Sequence, residues 1–585
     1  HSVSVIADAM VKGIKGFNYD KALEAAKHSA MLDHLGLKAY KQNGYISMDD
    51  EHESVSKTVE YAYDDWCIAQ MAKVLNKQVD YDYFMKRSQY WKNVFDTKTN
   101  FMRPKKNGGW LTPFDAKEVN NNFTEGNSWQ YSFFVPQDVY GLVDAMGGNK
   151  NFEKKLDELF TTSSQTTGRE QADITGLIGQ YAHGNEPSHH MAYLYNYVGK
   201  NYKTQERVRQ ILSDFYKNAP DGLIGNEDCG QMSAWYVLSS MGFYPVCPGS
   251  PNYELGSTIF PSCTIHLENG KNIFLYSKNY TDKNIYVSSV TLNGKKYMSS
   301  SVNFVELLSK GLPTDNIKLS FDLSSSPKAT TNISKKRAAL QTNTNALVVS
   351  PVISSPALFF KDDLKIELQS LSPNYKLYYT LDGTDPGVKA IQYASPIMIT
   401  EMTTIKAIAI NEKGEKSSVT IGSFYKMPHA DWKLNIVSTY NKQYTAGGDD
   451  GIIDGQHGTT NWRTGSWQGY QSQDFECIID LGKEKSISSI TSSYLQDTRA
   501  WIVYPKQVEY YTSEDGKTFT LFGTIENGIP ANDYDLQMRE FNSNNPAKVN
   551  ARYVKVKATN FGKLPEWHQG NGGDAFIFID EIDIK

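Results

Sequence analysis

The sequence predicts a multidomain protein. A mainly α toroid of paired helices comes first, then a β-rich segment, a small β unit and a β-sandwich. Three observations predict it. The chain has 585 residues, too many for one ordinary domain. Apolar residues recur at three- and four-residue spacing through residues 1–245. Beyond residue 246 the period falls to two, and Asn-Gly or Asp-Gly pairs punctuate it.

Taken in order, the helical pattern is clearest at Asp20–Leu35, Glu60–Asn76, Asp82–Val94, Phe152–Phe160, His189–Tyr195, Gln205–Tyr216 and Gln231–Met241. The loops between are rich in Gly, Asn and Pro, and carry many Trp, Tyr, Asp and Glu. Paired helices with such loops at one end suggest a toroid whose function lies in its loops. Residues 246–326 read as β-hairpins in "TIHLENGKNIFLYS", "IYVSSVTLNGKKY" and "NIKLSFDL". Residues 327–345 are polar, nearly free of aromatics, and read as a linker. Residues 346–427 form a small β unit around "YKLYYTLDGTDP" and "TTIKAIAINEKGEKS". Residues 428–585 hold many short alternating runs, which argue a β-sandwich.

Composition narrows the chemistry. A net charge of −5 offers no basic stripe for nucleic acid. No run approaches the apolar length of a membrane span, and no signal peptide is present. The 5 cysteines are spread without a CxxC, which argues against a disulfide scaffold or zinc site, though one bridge among Cys229, Cys247 and Cys263 stays open. Aromatic content of 12% suits sugar stacking, and equally suits core filling.

Three acidic clusters stand where loops meet helices. The first, "NFTEGNSWQY", holds Glu125 and Trp129. The second, "HGNEPSHHMAYLYNY", holds Asn185, Glu186, His189 and His190. The third, "GNEDCGQMSAWYVLSSMGFYP", holds Asn226, Glu227, Asp228 and Gln231. Each mixes a carboxylate with amides and rings in a Gly-flanked bend. Glycoside hydrolysis wants this mixture: one protonated acid for the leaving oxygen and a second carboxylate as base or nucleophile. Burial and neighbouring charges must then push the two pKa values apart. Singly, each acid reads as readily as a helix cap. Adjacent histidines point about 100° apart on a helix, so His189 and His190 are poor joint metal ligands. Glu60 and Asp64, one turn apart in "SKTVEYAYDDW", form a further carboxylate pair flanked by Tyr63 and Trp66. In the third cluster Met232, Trp235 and Val237 are expected to face the core.

With these motifs in hand, "SVSKTVEYAYDDW", "TEGNSWQY", "GNEPSHHMAYLYNY" and "GNEDCGQMSAWYVLSSMGFYPVCPG" resemble, in order, signatures of glycoside hydrolase family 92 over about residues 1–325. The resemblance implies a calcium-dependent, inverting, exo-acting α-mannosidase of α-mannose-containing glycans, of N-glycan or mannan type. It is expected to be secreted, periplasmic or displayed at a bacterial cell surface. It implies an N-terminal β-sandwich followed by an (α/α)6 catalytic barrel. The helical pattern at His1 would then start inside that barrel, making the missing N-terminal part a possible partner for the pocket. Glu125 matches the family's general acid and Asp228 its general base. Glu186 matches a residue near the calcium and the sugar, and Glu186, Glu227 and Gln231 are the candidates for touching the metal. Asn185, His189, His190, Asn226, Gln231 and Trp129 are expected around the sugar. Where members cleaving α-1,2 bonds carry a His-Glu pair, this chain has Asn185-Glu186, so linkage is left open.

Residues 346–427 resemble the β-domain at the C-termini of chitobiases. Residues 428–585, through "DGIIDGQHGTTNWRTG", "FECIIDLG" and "RYVKVKATNFG", resemble a discoidin (F5/8 type C) domain, whose bacterial relatives are family 32 carbohydrate-binding modules. That likeness implies a sugar site among Trp462, Trp467, Tyr470, Trp501, Trp567 and His568, with Trp462 and Trp467 equally readable as core. It also implies a structural calcium, with Asp454 and Glu581 as candidate ligands. Two other readings remain: a non-catalytic carbohydrate-binding or adhesion protein, and another (α/α)6 glycosidase. A polysaccharide lyase would need a basic pair, and the clusters offer carboxylates instead.

Overall fold

The computed structural model describes residues 2–268, 270–303, 316–327, 347–387 and 390–585. The stretch read as a linker therefore falls, from residue 328 on, outside the described residues.

The N-terminal region is helical: α1 (Ser2–Val11), α2 (Tyr19–Met31), α3 (Leu37–Asn43), α4 (Ser54–Val74), α5 (Gln78–Arg87), α6 (Ser128–Tyr131), α7 (Val139–Ala145), α8 (Asn149–Thr161), α9 (Asn201–Phe215) and α10 (Gln231–Met241). The long α4 is the hub. Its buried residues run round the whole helix, and α1, α2 and α5 pack on it. A helix buried all round is a central one. Most of the segment expected to start a helix at His189 is a 3-10 helix, Met191–Val198, with every side chain buried.

From Phe243 the chain turns to strands. Ser262–His266 and Asn272–Lys278 pair antiparallel, and Asn316–Ser324 joins the second of them in parallel. Tyr286–Leu292 and Lys295–Tyr297 form a hairpin through Asn293-Gly294, both with positive φ (49° and 76°), as a type I′ turn requires. Residues from Val352 to Lys426 form two small sheets around one core of Ile366, Ile405, Ala407 and Phe424. Beyond Lys433 lies a seven-stranded sheet, whose long strands Phe475–Gln496 and Gln537–Ala558 run antiparallel through two irregularities. It encloses Trp432, Tyr470, Tyr494 and Val554.

The units touch. Asn107 acts as a strand-edge partner: its amide donates to Ser423 O (2.8 Å), and its Oδ1 accepts from Ser423 N (2.7 Å). Beside it, a Cβ on Gly109 would meet Ile353 O at 2.4 Å, so only glycine allows this approach. Among the described residues, no helix is long and apolar enough to cross a membrane, and all 5 cysteines are free.

Candidate active site

Three loops bring the acidic clusters to one face of the helical region. In the first, Asn127 caps α6. Its side chain accepts from Gln130 N (3.3 Å), and Gln130 Oε1 accepts from Asn127 N (3.0 Å), a reciprocal capping box. The polar residues of this motif thus build the turn, and the residue left exposed is Glu125. Its backbone lies in the left-handed region, φ 48°, which costs a non-glycine residue about 1–3 kcal/mol and is characteristic of functional sites. Partial burial and the negative charges of Asp173, Glu186 and Glu53 push its carboxyl up from the ordinary value.

The second loop places Asn185 and Glu186. The Asn185 amide donates to the Glu125 carbonyl (3.2 Å). Glu186 is half-buried, and its carboxyl is raised by that burial and by the adjacent Asp228. In the third loop Asp228, Cys229 and Gly230 have φ of 53°, 56° and 96°. This left-handed run swings Asp228 to the surface just before α10. The Asn226 amide donates to Asp173 Oδ1 (3.2 Å). The Glu227 carboxylate accepts from Gly230 N (2.6 Å) and from the Ser233 hydroxyl (2.8 Å), which holds it at the start of α10 and lowers its pKa.

The structure corrects several expected sugar contacts. Trp129 is 7% exposed and packs edge-on against Phe101 (4.6 Å), because α6 is buried on all sides. His189 and His190 are buried as well. Each bonds a main-chain carbonyl through Nε2, His189 to His183 O and His190 to Phe133 O (both 2.9 Å). Burial drives both pKa values down to about 4, so both rings are neutral and structural. Gln231 donates to His189 Nδ1 (3.0 Å) and supports that ring. Of the residues expected at the apolar face of α10, Met232 and Trp235 are buried, but Val237 is 52% exposed. Asp173 and Glu53 join the acidic face although no sequence motif marked them. Only the folded loops bring their charges beside Glu125.

Residues 1–320, more than half of the 585, match the model of the glycosyl hydrolase family 92 catalytic domain. The chain belongs to glycosyl hydrolase family 92. A family 92 α-mannosidase of Bacteroides thetaiotaomicron is 45% identical, with a TM-score of 0.53, over 57% of this chain and 44% of that one. A family 92 inverting mannosidase of the same organism is 35% identical, with a TM-score of 0.51, over 57% of this chain and 47% of that one. An uncharacterized secreted glycosidase of Arthroderma benhamiae is 29% identical over 52% of this chain and 43% of its own length. The chain thus spans less than half the length of these relatives.

This family 92 chain carries further units. Residues 366–424 match the Fn3-associated model, within the stretch read above as chitobiase-like, and residues 435–575 match the F5/8 type C domain. Of the rings expected to bind sugar there, Trp462, Trp467 and Tyr470 belong to the interior, at 6%, 0% and 0% exposure. The indoles of Trp462 and Trp467 donate to Asp497 Oδ2 (3.0 Å) and Thr459 O (2.9 Å). His568 is buried, its Nε2 on Thr498 O (2.6 Å). Trp501 packs against Gly570 and Gly573, where any Cβ would collide with its ring. Trp567 alone of the six is exposed, set edge-to-face against Tyr534 (6.1 Å), whose ring carries the Arg499 guanidinium (5.4 Å).

Asp454 and Glu581 do meet. Both are buried, and Gly455 N donates to Glu581 Oε1 (3.2 Å), while Glu581 Oε2 and Asp580 Oδ1 are buried without a hydrogen-bond partner. Burial, with the charges of Asp580 and Asp450, raises Asp454 to about 7, and burial with the charge of Asp454 raises Glu581 to about 9. Hard oxygens in need of a positive charge suit calcium. At the catalytic face the oxygens of Glu186, Asp228 and Asn185 are of the same type. Among the described residues, however, no group of three or more His, Cys, Asp or Glu side chains closes a metal site.

Proposed function

We propose that this protein hydrolyses terminal α-mannosides of glycans with inversion and in dependence on calcium. Its helical half would form part of an (α/α)6 barrel, and the whole would work outside the bacterial cytoplasm. The observation that carries this reading is the acidic face itself. Glu125 and Asp228, in family-matching loops, are both held in left-handed backbone, and Glu186 is electrostatically linked to each.

Glu125, its carboxyl raised by burial and by three neighbouring acids, is the acid that would protonate the leaving oxygen. Asp228, exposed at its loop tip, is the base that takes a proton from water. Glu186 feels the charge of Asp228, and Glu125 that of Glu186; inversion asks for roughly 6.5–9.5 Å between the two catalytic carboxyls. Calcium, when bound by oxygens such as those of Glu186, with Glu227 as the second candidate, would supply positive charge for the sugar's 2- and 3-hydroxyls. Trp567 with Tyr534 and Arg499 is the proposed glycan contact of the F5/8 type C unit, and Asp454 with Glu581 its calcium site.

The test is hydrolysis of α-linked mannobiose and of an α-mannoside with an activated aryl leaving group by the full-length protein. Glu125→Gln is expected to lose about 10²–10⁴-fold on mannobiose and little on the aryl substrate. Asp228→Asn is expected to lose activity on both. An NMR time course should show β-mannose first; α-mannose first would refute inversion, and undiminished activity in EDTA would refute the calcium requirement.

A further inference from the structure

Glu125 sits in a backbone conformation that an acidic residue does not adopt cheaply, so something must hold it there. The two peptide groups that flank its Cα are each pinned through their carbonyl oxygen. The Glu125 carbonyl accepts from the Asn185 amide (3.2 Å). The Thr124 carbonyl accepts from the Tyr131 hydroxyl (3.0 Å). Rotation about φ of Glu125 has to break one of these bonds. Thr124 N, in turn, donates to the Ser56 hydroxyl (2.8 Å) on α4.

Besides the side chains of Ser56 and Thr124, the Tyr131 hydroxyl has a further close oxygen, Glu60 Oε1 at 3.2 Å. A hydroxyl owns one proton. A carbonyl can only accept, so the two contacts are hydrogen bonds at once only with the proton of Tyr131 on the shorter one, to Thr124 O. The contact to Glu60 is then a hydrogen bond only if the carboxyl supplies the proton, donating to the phenolic oxygen. Ser56 and Glu60 stand one turn apart on the same face of α4, so one helix face supports the turn at both points.

We propose that Glu60 and Tyr131 are positioning residues for Glu125: Glu60, as a neutral carboxylic acid, donates to Tyr131, which donates to the Thr124 carbonyl and fixes the left-handed turn that presents the catalytic acid. The inference rests on Glu125 being that acid. The surroundings of Glu60 agree with a held proton. Burial and then Asp64 raise it to about 7, Glu53 adds to the effect, and the Tyr131 contact opposes it. Tyr61, its neighbour in sequence, feels the charge of Glu60 in turn. When Glu60 ionises, it becomes the better acceptor, claims the Tyr131 proton and frees the Thr124 carbonyl.

The experiment uses the full-length protein and the same two substrates. Mannobiose needs the acid; an activated aryl mannoside does not. Tyr131→Phe and Glu60→Ala are each expected to lower kcat on mannobiose about 10-fold with KM unchanged, the effect of one hydrogen bond, and to spare the aryl substrate. Glu60→Gln keeps an N–H donor toward Tyr131 and should stay within about two-fold of the parent. It should also make the decline of mannobiose hydrolysis above pH about 7 shallower. Equal losses on both substrates would mean general structural damage and overturn the proposal. So would Glu60→Gln behaving like Glu60→Ala. If Glu125→Gln itself hydrolyses mannobiose at the parental rate, the acid assignment fails, and this proposal with it. If Glu125→Gln is impaired while Tyr131→Phe and Glu60→Ala are not, only this proposal fails.

Discussion

Four helices of the catalytic region meet at one buried ion pair, and its removal should cost different amounts from its two sides. Arg87 on α5 donates through Nε to Asp65 Oδ2 on α4 (2.9 Å), and Tyr40 on α3 donates to the same oxygen (2.9 Å). A second guanidinium nitrogen of Arg87 reaches Ala30 O on α2 (3.3 Å). The two side chains are 2% and 1% exposed. Breaking such a pair from one side costs about 3–5 kcal/mol, because the remaining charge stays buried. At about 2–4 °C per kcal/mol for a region of this size, the helical transition should fall by roughly 6–20 °C. The two single variants then diverge with pH. In Arg87→Met the stranded Asp65 takes up a proton, since burial already raises it beside the guanidinium. An acid raised in the folded state favours folding at low pH and loses that advantage as pH rises. The deficit of Arg87→Met should therefore grow by up to about 1.4 kcal/mol per pH unit until Asp65 ionises. In Asp65→Asn the guanidinium cannot shed its proton, so the deficit should be flat. Asp65→Leu with Arg87→Met should recover most of the loss. Scanning calorimetry at pH 5.5 and 8.5 reads all four proteins. Asp65→Asn within about 1 kcal/mol of the parent, or parallel pH dependence of the two singles, would refute the reasoning.

The F5/8 type C unit offers three further tests. Trp567→Ala should weaken glycan binding at least about 10-fold by calorimetric titration while shifting stability by less than about 0.5 kcal/mol. Trp462→Ala should destabilise by about 3–5 kcal/mol because its ring fills the interior. Calcium should raise the melting temperature of this unit and EDTA should lower it; Glu581→Gln should abolish the response, and an unchanged response would exclude Asp454 and Glu581 as the site. Finally, Asn107→Ala removes both bonds to Ser423 and should speed proteolysis between the catalytic and Fn3-associated units, with little change in mannobiose hydrolysis.

Periodicity alone located α10 at Gln231–Met241 and α8 around Phe152–Phe160, because a helix that buries one stripe must repeat that stripe in sequence. It said less about the segment after His189, where every side chain is buried and no stripe exists. The motifs marked Glu125, Glu186 and Asp228, because acids in Gly-flanked bends are a local feature. They could not separate those acids from their helpers. Trp129, His189 and His190 look like sugar contacts in sequence, yet only packing reveals that their rings face inward. Trp462 and Trp567 likewise have the same chemistry in sequence, and burial against exposure divides them.

The sequence by itself determined the family, the order of helical and strand-rich regions, and the loops that carry the candidate acids, since each is written in local pattern and motif. The tertiary structure decided which side chains share a field: Asp173 and Glu53 with Glu125, Asp454 with Glu581, and Glu60 with Tyr131. Those pairings join residues up to 127 positions apart. Coulomb energy and hydrogen bonds depend on distance in space, and only the folded chain sets it.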